Sequence, residues 1–342
     1  MKSIPDISAI QKVVIRVPNW IGDTVMAVPA VMALRDILGD AELTVLARAP
    51  LSLLWAHNPA VDSVFGLAGK GVREEAAFLK AGGYDLTVLL TNSFGTALSA
   101  WLAGVPVRLG YTCHGRRMLL NRGVRRDARV RSMHQAEQYL NLVGHLGAIE
   151  GEKDARVWAG RKAGREADSM LRESGYEEGG LTVGLCPGAA YGPAKRWPAG
   201  RFTELANALV RKKGAQIVIF TGGEEVELAA DVARGIFGRK INLGGRTDLL
   251  VLAAAMKRCD VVVSNDTGTM HLASASGVPV VGIFGSTEPA RTSPLGKHAI
   301  VRSRVHCSPC FRRTCRKGLN YECMEKITVE EVYKATVGLI TK

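Results

Sequence analysis

The chain has 342 residues, 47% hydrophobic and 23% charged, which is room for two domains with sizeable cores and the make-up of a globular protein. Its 45 basic and 32 acidic residues leave a net charge of +13, which points to an anionic partner: nucleic acid, an acidic membrane surface or a phosphorylated substrate. The N-terminal MKSIPDISAIQ lacks the apolar core of a signal peptide. The longest uncharged run, 86–107, carries Thr91-Asn92-Ser93, Gly95, Gly104 and Pro106, which excludes a single spanning helix. A cytoplasmic protein that touches a membrane without crossing it is expected.

Strands and helices alternate almost throughout. The first half reads as strand 13–17, helix 23–38, strand 43–47, short helix 51–57, strand 64–67, helix 73–80, strand 86–90 and helix 95–102. An Arg-rich irregular stretch follows, then a helix over 135–146. Residues 151–180 are charged and glycine-containing and read as a linker with one helical piece near 165–173. The pattern restarts with strand 181–186, helix 201–212, strand 216–220, helix 224–237, strand 241–243, helix 249–257 and strand 261–263. A short helix from Gly268, a strand over 278–284 and a last helix over 329–340 complete it. Such alternation implies parallel sheets with helices on both faces, here an α/β protein of two doubly wound domains facing across a cleft. The expected boundaries are 1–160, 161–325 and a C-terminal helix, 326–342, packing back toward the first domain.

The segment SNDTGTMHLASASGVPVVGIFGS, 264–286, carries the most chemistry. An apolar strand runs into Asn265-Asp266-Thr267-Gly268 and then a short helix. Asp266 and Thr267 are good N-cap types, and Gly268 lets the backbone turn. The unpaired N–H groups of a first helical turn suit a phosphate, and His271 follows Thr267 by four residues, on the same face. The plain alternative is a capped helix in an ordinary βαβ unit.

The first strand ends in RVPNWIGD, 16–23, which places Asn19, Trp20 and Asp23 at a strand-to-helix turn. No G-x-G-x-x-G turn is present, which weakens a nicotinamide dehydrogenase. Asp23 is either an N-cap or a general base toward a bound hydroxyl. In GLCPGAAYGPAKRWP, 184–198, small residues after a strand let backbone N–H groups approach phosphate, and Lys195 supplies a point charge. Thr221-Gly222-Gly223-Glu224 is either a nucleotide-holding loop or a plain βα turn.

Eight arginines, including Arg116, Arg117 and Arg122, lie between 108 and 131 against one acid, Asp127. They form an anion-binding face or simply a solvated one. Only Tyr111 interleaves them, so a stacking platform for single-stranded nucleic acid is poorly supported. A second basic cluster, Arg302, Arg304, Arg312, Arg313, Arg316 and Lys317, surrounds Cys307, Cys310, Cys315 and Cys323. Their C-x2-C-x4-C-x7-C spacing is either a structural zinc site or a packed, redox-labile loop.

Four segments together, VPNWIGDTVMAVP (17–29), LLTNSFGTALSAWLAGVPVRLGY (89–111), GLCPGAAYGPAKRWP (184–198) and SNDTGTMHLA (264–273), resemble the ADP-heptose:lipopolysaccharide heptosyltransferases of glycosyltransferase family nine. The resemblance spans both halves and is closest to the members that add the second inner-core heptose. It implies a GT-B fold, with ADP-heptose bound by the C-terminal domain and a lipid A-linked acceptor by the N-terminal domain. It also implies an inverting transfer with no obligatory cofactor or metal, on the cytoplasmic face of the inner membrane, by a monomer. Asp23 matches the family's general base and Lys195 its phosphate-holding lysine. Asp266, Thr267, Gly268 and His271 match its D-[TS]-G-x-x-H, with Gly188 and Glu224 or Glu225 also on the donor. Asn19, Trp20, Arg116, Arg117 and Arg122 are the expected acceptor contacts. The readings that stay open are a heptosyltransferase acting on another acceptor, a sugar-nucleotide epimerase, and a nucleic-acid-binding module.

Overall fold

The computed structural model describes residues 9–69, 71–151, 155–316 and 320–340. The N-terminal residues 1–8, inspected above for a signal-peptide core, and Lys317 lie outside them. The chain divides into two compact units, 1–158 and 159–342.

The first unit holds six strands: β1 (Lys12–Arg16), β2 (Glu42–Arg48), β3 (Ser63–Leu67), β4 (Leu86–Leu89), β5 (Val107–Tyr111) and β6 (Arg122–Val124). They pair in parallel in the order β3-β2-β1-β4-β5-β6. The second unit repeats the plan with β7 (Thr182–Cys186), β8 (Gln216–Ile219), β9 (Lys240–Asn242), β10 (Val261–Asn265), β11 (Val280–Phe284) and β12 (His298–Arg302). Their order is β12-β11-β10-β7-β8-β9, again all parallel. Both are the doubly wound order, reversing direction between β1 and β4 in one sheet and between β7 and β10 in the other. The crevice at the carboxyl end of that reversal is where such sheets bind ligands.

The central strands are runs of β-branched and aliphatic residues because helices cover both sheet faces. Val13, Val14 and Ile15 in β1 and Val261, Val262 and Val263 in β10 are fully buried. The core of the second unit gathers Val183, Leu185, Ile217 and Val263 from its strands with Trp197, Phe202 and Leu205 from the segment after the Lys195 loop.

Three expectations change. The helix expected over 23–38 is two, Ile21–Met26 and Val28–Leu38. Pro29 sits at the start of the second, where its missing N–H costs least, and so marks a new helix rather than a continuation. The supposed linker contains a 14-residue helix, Gly160–Glu173, that buries Ala163, Ala167 and Leu171 along one face and belongs to the second unit. Asp168 on it takes both Arg258 Nε and Nη2, at 2.7 and 2.8 Å. The final helix, Val329–Ile340, does not stand apart: Val332 is fully buried in the second unit's core, with Tyr333 and Val337 against it.

Candidate functional site

In the second unit three loops leave the carboxyl ends of neighbouring strands: 187–198 after β7, 220–225 after β8 and 266–268 after β10. One buried side chain fastens two of them. Asn265 donates from Nδ2 to the carbonyls of Pro187 and Gly188, at 2.7 and 3.3 Å, and accepts the Trp197 N–H on Oδ1 at 3.1 Å. Both ends of the Lys195 loop are thereby held against the last residue of β10. Neutral, fully satisfied hydrogen bonds of this kind fix geometry without placing a buried charge.

Lys195 donates from Nζ to Asp266 Oδ2 at 2.5 Å, and the Thr287 hydroxyl donates to the same oxygen at 2.5 Å. Asp266 is buried, and the lysine is its counter-charge; unpaired, a buried carboxylate would cost several kcal/mol, on the order of 3–5. The ammonium also sits 4.9 Å from the centre of the Tyr191 ring, which the Arg313 guanidinium approaches at 5.2 Å. Immediately after Asp266, Thr267 is extended (φ −148°, ψ 172°) and starts the helix Gly268–Ala275 without a side-chain capping bond. Its first-turn N–H groups therefore have no side-chain partner from the cap. His271, in the second turn, is buried. A cation, a helix N-terminus and a hydroxyl thus gather at the switch point, as an anionic ligand requires.

Of the two adjacent glutamates, Glu225 rather than Glu224 faces this site. Its Oε1 accepts the Ala189 N–H and Arg196 Nη2, both at 2.8 Å, whereas Glu224 is exposed. Gly188 lies against this contact: a Cβ there would stand 2.0 Å from Glu225 Oε2, and the carboxylate would have to shift. Gly192, at φ +150°, passes so close to the Arg313 carbonyl that a Cβ would stand 2.6 Å from it. At the end of β7, burial pushes the Cys186 thiol up to about 12, so this cysteine is a neutral packing group.

In the first unit the loop after β1 carries Asn19, Trp20 and Asp23. Arg16, itself buried, props it from below: Nη1 donates to the Val17 carbonyl at 2.6 Å and Nη2 to Asn19 Oδ1 at 3.0 Å. Its Nε meets Glu75 Oε2 at 3.3 Å. Burial raises the Glu75 carboxyl above its ordinary value despite the opposing pull of Arg16. Asn19 and Trp20 are exposed, and Asp23 lies half-buried in the first turn of Ile21–Met26. Burial first, then the Asp23 carboxylate, push the Tyr139 phenol well above its usual value, so Tyr139 backs this turn as a neutral hydroxyl.

Arg116 is a correction. The expected acceptor contact is wholly buried, and its guanidinium serves backbone carbonyls: Nε to Tyr111 at 2.7 Å, Nη1 to Thr91 at 2.7 Å and Ser93 at 3.3 Å. Its Nη2 reaches Asn92 Oδ1 at 3.3 Å. It ties the loop after β4 to the end of β5. Arg117 beside it is exposed and Arg122, in β6, is half-buried.

Sequence reading missed Thr287, Asn265, Tyr139 and the buried role of Arg116. Only Asn265, directly before the Asp-Thr-Gly turn, had a local signal. The four C-terminal cysteines are free, and the Cys323 thiol is pushed up to about 11 by burial and by the Cys307, Cys310 and Cys315 thiols. Among the described residues, no group of three or more His, Cys, Asp and Glu is placed to hold a metal ion, and no helix is long and apolar enough to cross a membrane.

The model of glycosyltransferase family 9 (heptosyltransferase) matches residues 73–320. Lipopolysaccharide heptosyltransferase 2 of Escherichia coli K12 is 30% identical over 311 residues, 85% of this chain and 87% of that one. The protein of the same name from Salmonella typhimurium is 29% identical over 309 residues, 85% and 87% of the two chains. The solved structure of E. coli ADP-heptose lps heptosyltransferase II superposes with a TM-score of 0.83 at 24% identity, covering 97% of this chain and 99% of the other. The likeness bears out the GT-B class of two doubly wound units.

Proposed function

Because the chain belongs to glycosyltransferase family 9, the heptosyltransferases, we propose that it moves L-glycero-D-manno-heptose from ADP-heptose onto the first heptose of the lipopolysaccharide inner core, Hep-Kdo-lipid A. The observation that carries the donor side is the Lys195–Asp266 pair set at the start of the helix Gly268–Ala275. In a single displacement the acceptor hydroxyl attacks the anomeric carbon as the ADP oxygen leaves, inverting the centre through an oxocarbenium-like state. Negative charge grows on the departing diphosphate. Lys195 and the first-turn N–H groups after Thr267 stabilise it as groups already in place, so little reorganisation accompanies the step. His271 and Glu225 support this half-site, the latter by holding the Ala189 amide and Arg196.

Asp23 takes the proton from the acceptor hydroxyl. Asn19, Trp20, Arg117 and Arg122 contact the acceptor, whose carboxylates and phosphates suit arginine forks. No metal or other cofactor is invoked for the diphosphate. The protein acts as a monomer on the cytoplasmic face of the inner membrane, against an anionic surface, and not on nucleic acid.

The test is incubation with ADP-heptose and two acceptors, Kdo-lipid A and its mono-heptosylated form, with product masses read out. Heptose added only to the mono-heptosylated acceptor is the expected result. Addition to bare Kdo-lipid A moves the assignment to the enzyme that adds the first heptose, and addition to neither overturns the reading.

A further inference from the structure

The helix Phe94–Leu102 is turned inside out for a soluble protein. Its small residues, Thr96, Ala97, Ser99 and Ala100, are buried. Its large apolar residues lie on the opposite stripe, at i, i+4, i+7 and i+8: Phe94, Leu98, Trp101 and Leu102. Phe94 is 48% exposed, Trp101 49% and Leu102 50%. The inward face has reasons of its own. The Ser99 hydroxyl donates to the Val72 carbonyl at 3.1 Å.

Against this helix packs the short 3₁₀ turn Arg116–Leu119, anchored through Leu119 and Leu120 on Ala97. Met118 in that turn is 92% exposed. Scattered exposed apolar residues need no explanation, but three large ones on one helix and a fourth on the turn packed against it do. From 86 to 126 the chain has no acidic residue at all, and Arg117 is exposed in the same turn as Met118.

We propose that this face, Phe94, Trp101 and Leu102 of the helix with Met118 and Arg117 of the turn packed on it, docks the protein on an anionic lipid bilayer, the apolar side chains entering the headgroup boundary. Tryptophan with basic neighbours is the side-chain set of such a boundary, and apolar burial and charge attraction act together there. The charge favours lipid over a second copy of the chain. The chain carries a net charge of +13, so two copies repel each other while an anionic surface attracts. The proposal rests on the reading that the acceptor is lipid-linked, and it names the surface that brings the enzyme to it.

The experiment is sedimentation of the full chain with vesicles of phosphatidylglycerol and phosphatidylethanolamine, alongside pure phosphatidylcholine. The native chain should bind the anionic vesicles preferentially and lose binding in high salt. The double substitution Trp101→Ser with Met118→Ser should weaken it about tenfold, because the apolar area that enters the boundary is gone. Trp101→Phe should keep the binding while abolishing most quenching of tryptophan emission by brominated acyl chains. Transfer onto a deacylated, water-soluble acceptor should be the same in all three proteins. Equal vesicle binding by native chain and double variant overturns the proposal. So does quenching that survives Trp101→Phe, or a dimer of the native chain that the double substitution dissociates. Absence of transfer to the soluble acceptor by any of the three would instead count against the proposed reaction, leaving the vesicle result to judge the surface.

Discussion

At the scale of single residues, position along the chain and role separate cleanly at Glu224 and Glu225. Both follow a strand end in a glycine-rich turn, and nothing in their order says which one turns inward. The Ala189 amide and Arg196 decide it, since both are held by Glu225. Removing that carboxylate frees an amide and a guanidinium at the loop that carries Lys195. Hydrogen bonds to a charged group are each worth about 1.5–3 kcal/mol, so Glu225→Ala should weaken ADP binding about tenfold in calorimetry, and Glu224→Ala should leave it unchanged. Equal losses for both would dissolve the distinction. Asp23 calls for a different readout. Asp23→Ala should lower turnover about 10²–10⁴-fold with ADP affinity unchanged, the signature of a lost general base. Near-normal turnover would remove Asp23 from the chemistry. Arg116 shows the opposite case. Its residue type and its neighbours in sequence read as an anion site, yet five guanidinium N–H groups in a fixed fork are equally suited to gathering carbonyls, and the structure uses them so.

At the scale of elements, a side-chain cap fixes the start of the last helix. Thr328 and Glu331 form a reciprocal box before the last helix: the Thr328 N–H and hydroxyl donate to Glu331 Oε2 at 2.8 and 2.7 Å, and the Glu331 N–H returns to Thr328 Oγ1 at 3.3 Å. These bonds favour the ionised carboxylate and hold Glu331 below its ordinary value. A lowered folded-state value contributes stability above the unfolded-state value and loses it as pH falls through the folded one. Glu331→Gln should therefore be destabilising at neutral pH, by about 1 kcal/mol or less for an exposed cap. The difference from the native chain in denaturant midpoint should shrink as pH drops below the ordinary glutamate range. A gap independent of pH would mean the box acts by packing alone. The helix Gly160–Glu173 is the instructive miss at this scale. A charged, glycine-bearing stretch reads as a linker, but Ala163, Ala167 and Leu171 supply a narrow apolar stripe, enough once the helix Leu249–Met256 lies against it. Alanines are weak signals of a buried face because they bury little area each.

At the scale of the molecule, one chain builds the same sheet order twice, and each time the loops at the reversal of strand order carry the candidate residues. The alternation of apolar runs with helical stretches was enough to read two doubly wound units, because strands covered on both faces must be apolar throughout and so stand out. The turns at Asp266-Thr267-Gly268 and in the glycine-bearing loop after β7 were equally legible as strand-end loops, since tight turns admit few residue types. Composition, element order and these turns are local or additive properties, and the sequence by itself determined them. What it left open are matters of which side chain meets which across tens of residues. Examples are Thr287 on Asp266, Glu225 on Ala189, Arg116 on the Thr91 carbonyl, and the outward turn of Phe94 and Trp101. Those pairings depend on strand order and helix rotation within each unit, and no spacing along the chain encodes them, so only the tertiary structure decided them.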